Sequence, residues 1–464
     1  MTKASLLASE STGGATARGG FAYQDAFVLQ NMPLWLSQGA FSHVVSEALG
    51  DVEICYFGED GTIVRTFIEA KEYALSWGDF WSEIRQFKNV HETSPAEFPR
   101  FALVCRDFNE RTAPLVSRVS RLRGVGSSYD AASPLLAQTR EEIVAWVVGK
   151  GGAAELAQFV VDRVEFVTYA DENASAAFPG ELERHLRPLN LRASEAATFR
   201  ERCSSMVTRS ARGPVKRAEI EAALTEVQGP AAPHWTKAPT DLWLNGSPSP
   251  YELAVPVDAF NGPQRAALHQ EDWTLLAERL AAVGRFVKQS RQRPCIALSS
   301  KQRMSLACLL GYTFAATKGY TLDIEHNGSH FRTDDHAQAT GQFFANAAPM
   351  DSAVGREGVA VIAFPTRAGT DVDTAIGDSL LEAPRLSLHS DRPINSPATL
   401  NKAVAEAKGA LTAFRASRQL EVIHLFIKAP SHFATALGHR LNGVGRLQLY
   451  DWVDGRYVPT TQLG

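Results

Sequence analysis

The chain has 464 residues, which exceeds one ordinary hydrophobic core and predicts two or more domains. Hydrophobic residues make up 45% of it, which is enough to bury such cores. A net charge of -4 excludes a uniformly basic nucleic-acid-binding surface, so any contact with nucleic acid must come from a local patch.

The sequence carries no signal for export or membrane insertion. No apolar run reaches bilayer-spanning length, and the N-terminal residues are small and polar, without the apolar core of a signal peptide. The cysteines show no metal-type pair spacing and are expected to be buried thiols: Cys55, Cys105, Cys203, Cys295 and Cys308. We therefore expect a cytoplasmic protein without a membrane anchor.

The first predicted elements are a helix and two strands. An amphipathic helix is expected over Tyr23–Leu36, and two strand-like runs follow, Asp51–Phe57 and Val64–Ile68, joined by a glycine-containing turn. If these runs pair as a hairpin, Asp51 is carried back toward Glu69, which directly follows the second run.

The second run ends in Glu69-Ala70-Lys71. Alternate side chains of a strand share a face, so Glu69 and Lys71 point the same way, and Asp51 brings a second carboxylate to them. Carboxylate oxygens suit Mg²⁺, and a bound metal polarises a phosphodiester and acidifies a water for attack. The pattern therefore points to phosphodiester hydrolysis.

The tripeptide alone proves nothing, because a strand-end ion pair is the ordinary explanation of Glu-x-Lys. A second copy, Glu406-Ala407-Lys408, lies in an apolar stripe of helical spacing after Ser396-Pro397 and is expected to be a solvated helix surface. The strand context and Asp51 distinguish the first copy.

The rest of the first domain alternates helices and strands up to a predicted boundary. The expected elements are helix Trp77–Val90, strand Phe101–Cys105, helical segments over 142–148 and 153–161, strand Val164–Thr168 and mostly helical residues 200–227. Two breaker clusters, Gly229–Pro233 and Asn245–Pro250, then predict a linker. We expect domains over residues 1–228 and 251–464, with the linker over 229–250.

Beyond the linker, strands alternate with helices, which is typical of parallel sheets with crossover connections. The predicted strands are Glu252–Val257, Cys295–Ser299, Thr321–Glu325, Val359–Phe364, Arg385–Leu388, Val422–Ile427 and Leu447–Trp452. A weak internal echo links the strand, helix and strand ending near Ile324 with those ending near Tyr450. Two related halves are therefore expected.

Ligands of parallel sheets settle at the carboxyl ends of strands, where helix N-termini favour anions. Hydroxyls and cations at such positions form a candidate ligand set of Lys301, Arg303, Thr366, Arg367, Ser431 and His432. The alternative for Ser300 and Ser431 is helix capping, the commonest role of serine there. The domain carries no nucleophile–base, Gly-x-Gly-x-x-Gly or Walker motif, which favours ligand recognition over a second enzyme.

The chain resembles a known combination of domains. The C-terminal part of the chain, roughly residues 251–463, is similar to a SAVED domain. The segments that carry this resemblance are Val422–Ser431, Leu449–Pro459 and Leu298–Arg303, the last followed by Gly311. The N-terminal Gly20–Gln24, together with Asp51 and Glu69-Ala70-Lys71, resembles a PD-(D/E)xK nuclease. The combination is that of effectors in CBASS anti-phage systems.

The resemblance implies an α/β protein, with a restriction-endonuclease-like N-terminal domain and a SAVED domain of two fused CARF units of Rossmann-like fold. It also implies that Asp51 and Glu69, with Ala70 between Glu69 and Lys71, hold Mg²⁺. Lys71 would orient the attacking water or stabilise charge on the phosphate, and Gln24 would support the metal site.

Glu47 and Gly50 lie close to Asp51 in the sequence. Glu47 either joins the metal site or is a surface carboxylate. The residue before Asp51 is Gly50, where the superfamily motif has proline, although the superfamily varies at that position.

The implied function is a metal-dependent, double-stranded DNA endonuclease activated by a cyclic oligonucleotide, expected to be a cyclic trinucleotide, from a partner nucleotidyltransferase. Activation would proceed through a ligand-induced homo-oligomer. DNA phosphates would meet basic patches, or these patches are ordinary solvated faces: Arg118, Arg121 and Arg123, or Arg200, Arg202, Arg209, Arg212, Lys216 and Arg217. Two alternatives remain open, a non-catalytic nucleotide-sensing adaptor and a constitutive nuclease with a protein-interaction domain.

Overall fold

The computed structural model describes residues 18–130, 132–209, 213–229, 238–246, 249–292, 294–346, 355–366, 370–374 and 378–464. The chain divides between positions 236 and 237 into two compact units, except that residues 59–61 are grouped with the second. Across the described ranges, no helix is both long and apolar enough to cross a membrane. All five cysteines are buried and none of them forms a disulfide, as expected.

The first unit is built from eight described helices and six described strands. The helices are α1 (Arg18–Ser37), α2 (Trp77–Thr93), α3 (Ala113–Gly124), α4 (Pro134–Gly149), α5 (Ala154–Arg163), α6 (Ala174–His185), α7 (Ala193–Thr208) and α8 (Arg217–Gln228). The strands are β1 (Phe41–Ser46), β2 (Val52–Phe57), β3 (Ile63–Lys71), β4 (Arg100–Cys105), β5 (Val164–Thr168) and β6 (Val215–Lys216).

These six strands form one mixed sheet in the order β5-β4-β3-β2-β1-β6. β3, β4 and β5 run parallel, whereas β2 and β1 are antiparallel to their neighbours. Strand β3 is central and is buried over Thr66–Ala70, because helices cover the sheet. The predicted helix–strand–strand–helix–strand order is confirmed, and strands β1 and β6 are additions to it.

Helix α2 lies between β3 and β4 in the chain, and its sequence explains its position. Ser76 caps the helix by accepting a hydrogen bond from the Asp79 N–H at 3.2 Å. Phe80, Ile84 and Phe87 recur at helical spacing and are fully buried against the sheet. The helix is therefore a rigid support for the side chains on its sheet-facing side.

The second unit contains two sheets among its described residues. Its helices are α9 (Asp258–Asn261), α10 (Gln270–Ser290), α11 (Met304–Thr313), α12 (Thr370–Asp373), α13 (Asp378–Leu381), α14 (Pro397–Arg418) and α15 (Ser431–Gly438). Its strands are β7 (Thr240–Asp241), β8 (Cys295–Ser299), β9 (Thr321–His326), β10 (Ser329–Arg332), β11 (Ala345–Asn346), β12 (Glu357–Ala363), β13 (Arg385–His389), β14 (Val422–Lys428), β15 (Arg446–Val453) and β16 (Arg456–Leu463).

The strand orders are β10-β9-β8-β7 and β11-β13-β12-β14-β15-β16. The inner strands of each sheet are parallel, which agrees with two Rossmann-like halves. Antiparallel strands form both edges of the six-stranded sheet, whereas the four-stranded sheet has antiparallel β10 at one edge and parallel β7 at the other. Strand β7 and residues 242–246 fall inside the predicted linker, and positions 230–237, 247 and 248 lie outside the described residues.

Helices α11 and α15 join the halves through a reciprocal glycine contact. A Cβ at Gly311 would come within 2.0 Å of the Thr435 carbonyl oxygen, and one at Gly438 within 2.1 Å of the Cys308 carbonyl oxygen. Because both obstacles are backbone, only glycine permits this approach. The two halves are packed together without room for a side chain at either position.

Two sequence-based expectations in this unit are wrong. The run Glu252–Val257 is mostly buried but forms no strand, since only Ala254 makes a bridge, to Trp243. Glu406 is not on a solvated surface, because its carboxylate accepts hydrogen bonds from the N–H groups of Phe343 and Phe344 at 2.9–3.0 Å. It secures the segment that leads into β11.

Candidate functional sites

The β2–β3 hairpin brings the predicted carboxylates together. Val52 lies opposite Ile68 in the antiparallel register, so Asp51, just before β2, faces Glu69 at the end of the ladder. The Asp51 Oδ2 atom accepts a hydrogen bond from the Ala70 N–H at 2.8 Å. The predicted pairing of the two runs is confirmed, and it fixes Asp51 beside the Glu69-Ala70-Lys71 segment.

Packing against the core explains why position 50, just before Asp51, is glycine and not proline. A Cβ at this position would come within 2.4 Å of the Phe67 ring, which is fully buried in the core of the unit. The departure from the superfamily pattern is therefore a matter of packing, since Phe67 covers the backbone at that point.

Lys71 lies between two carboxylates. Its Nζ atom is 2.5 Å from Glu69 Oε1, on the same strand, and 3.5 Å from Glu83 Oε1, on helix α2. Glu69 is only 7% exposed, and Glu83 is half-buried. The second oxygen of each, Oε2, is buried and accepts no hydrogen bond from the described residues. The described part of the site thus contains two buried carboxylate oxygens that are free to accept a hydrogen bond or to ligate a cation.

Burial and crowding of like charge dominate the electrostatics. Burial, and next the charge of Asp51, raise the pKa of Glu69 to about 7. Burial also raises the pKa values of Asp51 and Glu83 above the usual range. Burial opposes the charge on Lys71, but the three carboxylates outweigh it and raise its pKa above the ordinary value. Lys71 is therefore a cation, and the carboxylates favour an added positive charge.

The other two candidates of the nuclease site differ. Gln24 on α1 donates a side-chain hydrogen bond to Asp51, which orients that carboxyl. Glu47 is exposed, adopts a positive φ of 57°, and is linked to Asp51 through its backbone N–H, which donates to the Asp51 carbonyl oxygen at 2.9 Å. Its side chain lies near Asp25 rather than in the Asp51–Glu69 pair.

The donors fit a hard divalent cation with few protein ligands. In the described part of the chain, no group of three or more His, Cys, Asp and Glu side chains is arranged to hold a metal. Mg²⁺ commonly takes one or two carboxylates and keeps several waters, which suits Asp51 and the unused Glu69 Oε2. Ala70 has no side-chain ligand, so its carbonyl oxygen would have to serve.

Glu83 is the residue of this site that sequence reasoning missed. The signal was present, because Glu83 occupies a position of helical spacing between the buried Phe80 and Phe87. An acidic residue on the apolar side of a helix is unusual and calls for a charged partner. That the partner is Lys71 follows only from the packing of α2 on β3.

In the second unit, the three predicted ligand loops converge. The loop after β8 meets the start of α15, because the Ser431 hydroxyl donates to the Ser300 carbonyl oxygen. The loop after β12 is joined to α15 through Phe364, whose ring centroid is 5.0 Å from that of Phe433. Lys301 and Thr366 are exposed at this junction's loops, and Arg367 lies outside the described residues.

The serines of these loops do not cap helices, contrary to the alternative considered. The N-cap positions of α11 and α15 are Arg303 and Pro430. The Ser300 hydroxyl instead shares a hydrogen bond of 2.8 Å with His326 Nδ1. Ser431 ties the loops together as described above.

His432 is part of a buried ring stack. It is 1% exposed, and its ring centroid lies 4.1 Å from that of His326 and 4.9 Å from that of Phe331. Burial, and next the neighbouring His326, lower the pKa of His432 to about 4, so it is neutral. Neither ring nitrogen has a hydrogen-bond partner among the described residues. His432 thus lies beneath the loops rather than on them.

The entrance of α11 is filled by the protein itself. Asp451 of β15 is 3% exposed and accepts a hydrogen bond from the Ser305 N–H at 2.9 Å. Arg303 is turned to Asn261, whose side-chain oxygen accepts from the Arg303 N–H at 3.1 Å. The expectation of a free helix N-terminus for an anion is therefore wrong at α11.

Some arginines of the expected DNA patches are structural. The Arg123 guanidinium donates to the carbonyl oxygens of Val160 and Val161 in the last turn of α5 and to that of Val164, the first residue of β5, at 3.0 Å. Arg217 is buried, pairs with Glu221 at 2.8 Å and donates to the carbonyl oxygens of Leu36 and Gln38. Arg118 stays near the surface, over the Trp146 ring, and Arg212 lies outside the described residues.

Known protein families match both the N-terminal and the C-terminal part of the chain. The family model "Cap4, dsDNA endonuclease domain" matches residues 12–211, and "SMODS-associated and fused to various effectors sensor domain" (SAVED) matches residues 280–463. The CD-NTase-associated protein 4 of Moraxella osloensis is 44% identical over 461 residues, which is 99% of each chain.

Solved structures agree. The Acinetobacter baumannii Cap4 SAVED/CARF-domain receptor with 2'3'3'-cAAA is 42% identical, with a TM-score of 0.89 over 97% of this chain and 99% of that one. The same receptor with 3'3'3'-cAAA is 41% identical, with a TM-score of 0.88 over 96% of this chain and 99% of that one.

A restriction-like nuclease domain followed by a SAVED sensor domain defines the class of CBASS anti-phage effectors, as the sequence predicted. The chain belongs to the CD-NTase-associated protein 4, or Cap4, family.

Proposed function

We propose that this protein is a Mg²⁺-dependent double-stranded DNA endonuclease that a cyclic oligonucleotide activates, and that it acts in the cytoplasm against phage DNA. The observation that carries the catalytic part is the grouping of Asp51, Glu69 and Lys71 on one hairpin, with Glu69 Oε2 buried and unpartnered among the described residues. A buried carboxylate oxygen without a hydrogen bond is costly unless a cation takes it up.

Asp51 and Glu69 are the proposed metal ligands, with the Ala70 carbonyl oxygen as the third protein donor. When bound, Mg²⁺ would polarise the phosphodiester and lower the pKa of a coordinated water. Gln24 keeps the Asp51 carboxyl in place through its hydrogen bond. The Ala70 N–H holds Asp51 from the other side, so the carboxylate is positioned before any ligand arrives.

Lys71 is the proposed catalytic cation. Attack of water on phosphorus breaks a P–O bond and places extra negative charge on the phosphate oxygens. The ammonium group at the end of β3 stabilises that charge or orients the water. Its raised pKa keeps Lys71 charged at neutral pH, so it donates hydrogen bonds and does not act as a base.

The activator is proposed to be a cyclic trinucleotide. This rests on a relative whose structure was solved with the cyclic trinucleotide 2'3'3'-cAAA, and which is 42% identical to this chain with a TM-score of 0.89. Lys301 and Thr366, which are exposed, are the proposed contacts on the converging loops. Arg303 and Arg367 are proposed as further contacts, although Arg367 lies outside the described residues. Ser431 and His432 would support these loops from below, because Ser431 ties two of them and His432 is buried.

Activation requires that the ligand prefers the active state. Shifting an equilibrium from one part in a hundred to its reverse takes about 5.5 kcal/mol of differential affinity. Several charge-assisted hydrogen bonds to phosphates, at roughly 1.5–3 kcal/mol each, are sufficient. We propose that the favoured state is a homo-oligomer, and that a partner nucleotidyltransferase supplies the ligand.

Asp51→Asn and Glu69→Gln test the catalytic assignment. Both keep the shape of the side chain and remove its charge, so cleavage of double-stranded DNA should fall at least about a hundredfold. Binding of 2'3'3'-cAAA, measured by calorimetry, should be unchanged. Near-wild-type cleavage by both variants would contradict the assignment.

A further inference from the structure

Lys71 has two carboxylate partners, and only one of them belongs to the predicted nuclease motif. Glu69 Oε1 is 2.5 Å from Nζ, and Glu83 Oε1, on helix α2, is 3.5 Å from it. Glu83 has a side chain that is 17% exposed, and its Oε2 atom is buried without a hydrogen bond from the described residues.

If the proposed function holds, Glu69 has two competing roles, as a ligand of the metal and as the partner of Lys71. Glu69 cannot keep its full charge for Lys71 when it also ligates a divalent cation, because the cation withdraws that charge and repels the ammonium. The Lys71–Glu69 pair is therefore weakest when catalysis takes place. An ammonium on a four-carbon stem needs another fixed partner to stay at the phosphate.

We propose that Glu83 is that partner: a positioning residue that holds the Lys71 ammonium at the scissile phosphate once the metal occupies Glu69. At 3.5 Å, Glu83 Oε1 is already at the outer limit of hydrogen-bond distance, so a small movement of Nζ completes the bond. Glu83 acts through Lys71 and does not contact the metal or the reacting atoms.

The element that carries Glu83 suits this role. Helix α2 is capped by Ser76 and anchored by Phe80, Ile84 and Phe87, which are fully buried. A carboxylate on a rigid helix can fix the position of a flexible lysine, whereas one on a loop would move with it.

Glu83→Gln tests the proposal, because it keeps the side-chain volume and removes the charge. The purified full-length protein is assayed on double-stranded DNA with Mg²⁺ and 2'3'3'-cAAA. We expect kcat to fall about 10–100-fold, the range for groups that orient a catalytic residue. The KM for DNA and the half-saturating Mg²⁺ concentration should stay within about twofold, as should Mn²⁺ binding without DNA, measured by electron paramagnetic resonance.

Glu92→Gln is the matched control, since Glu92 is on the same helix with a side chain that is 56% exposed, and pairs with Lys88. It should cleave as the wild type does. Wild-type kcat in Glu83→Gln would overturn the proposal. So would a rise of tenfold or more in half-saturating Mg²⁺ or weaker Mn²⁺ binding, which would make Glu83 a metal ligand.

Glu83→Gln must not lose activity merely because it is less stable. If its activity falls in proportion to a fall in melting temperature, and Glu83→Asp loses as much of both, then Glu83 has a purely structural role and the proposal is overturned. If the wild type itself cleaves no DNA under any condition, the proposed function fails instead. The two failures are therefore distinct.

Discussion

Replacing Lys71 with methionine should affect both cleavage and stability, in amounts that follow from its surroundings. The change removes the cation between Glu69 and Glu83 and keeps the length of the side chain. Breaking a buried pair costs about 3–5 kcal/mol, and the 20% exposure of the Lys71 side chain puts the expected cost near the low end, about 3 kcal/mol. Cleavage should fall about 100–1,000-fold, as for loss of a preorganised donor.

The stability effect can be measured by thermal melting in EDTA. For a domain of this size, about 3 kcal/mol corresponds to a decrease of roughly 6–12 °C in the melting temperature of the first unit. Mg²⁺ should restore more stability to Lys71→Met than it adds to the wild type, because a dication replaces the missing charge. Binding of 2'3'3'-cAAA should not change.

Lys88→Met is the control, because Lys88 forms a surface pair with Glu92 on α2. Such pairs contribute about 0.3–0.5 kcal/mol, so melting and cleavage should stay close to those of the wild type. The assigned role of Lys71 is refuted if Lys71→Met cleaves within about threefold of the wild type. It is also refuted if its melting temperature in EDTA equals that of Lys88→Met.

Three further results are expected. Gly311→Ala should destabilise the second unit by about 1–3 kcal/mol or more, because the new methyl group meets the backbone of α15, whereas Gly409→Ala, with nothing within 4 Å, should be neutral or stabilising by denaturant unfolding. Because the pKa of Glu69 is raised to about 7, Mg²⁺ must displace a proton at low pH, so calorimetric affinity should weaken about tenfold from pH 8 to pH 6; a flat profile would contradict this. Lys301→Ala should weaken cyclic trinucleotide binding about 10–100-fold, unlike Arg356→Ala, an exposed residue paired with Glu421.

The nuclease hairpin was predictable because its signals are local. Alternation along β3 fixes the shared face of Glu69 and Lys71, and the short turn after Phe57 fixes the register that returns Asp51. The role of Glu83 was not predictable in the same way. Its distance to Lys71 is set by how α2 packs on the sheet, which sequence spacing alone does not determine.

In the second unit, two segments differ from what their composition predicts. Glu252–Val257 is mostly apolar and buried, yet its pairing with Trp243 and Leu244 is limited to one bridge and a few backbone hydrogen bonds, which is too short for a strand. Conversely, β16 (Arg456–Leu463) was missed, although it pairs with β15, because an edge strand containing Pro459 and several polar residues has weak strand signals. The capping expectation for Ser300 failed because its hydroxyl has a distant partner, His326.

The most direct test of the account is cleavage of linear double-stranded DNA by the purified full-length protein, with and without Mg²⁺, and with and without a panel of cyclic di- and trinucleotides that includes both cAAA isomers. We expect cleavage only when Mg²⁺ and one cyclic trinucleotide are both present. Cleavage without any nucleotide would contradict activation through the SAVED domain. No cleavage under any condition would contradict the proposed nuclease activity.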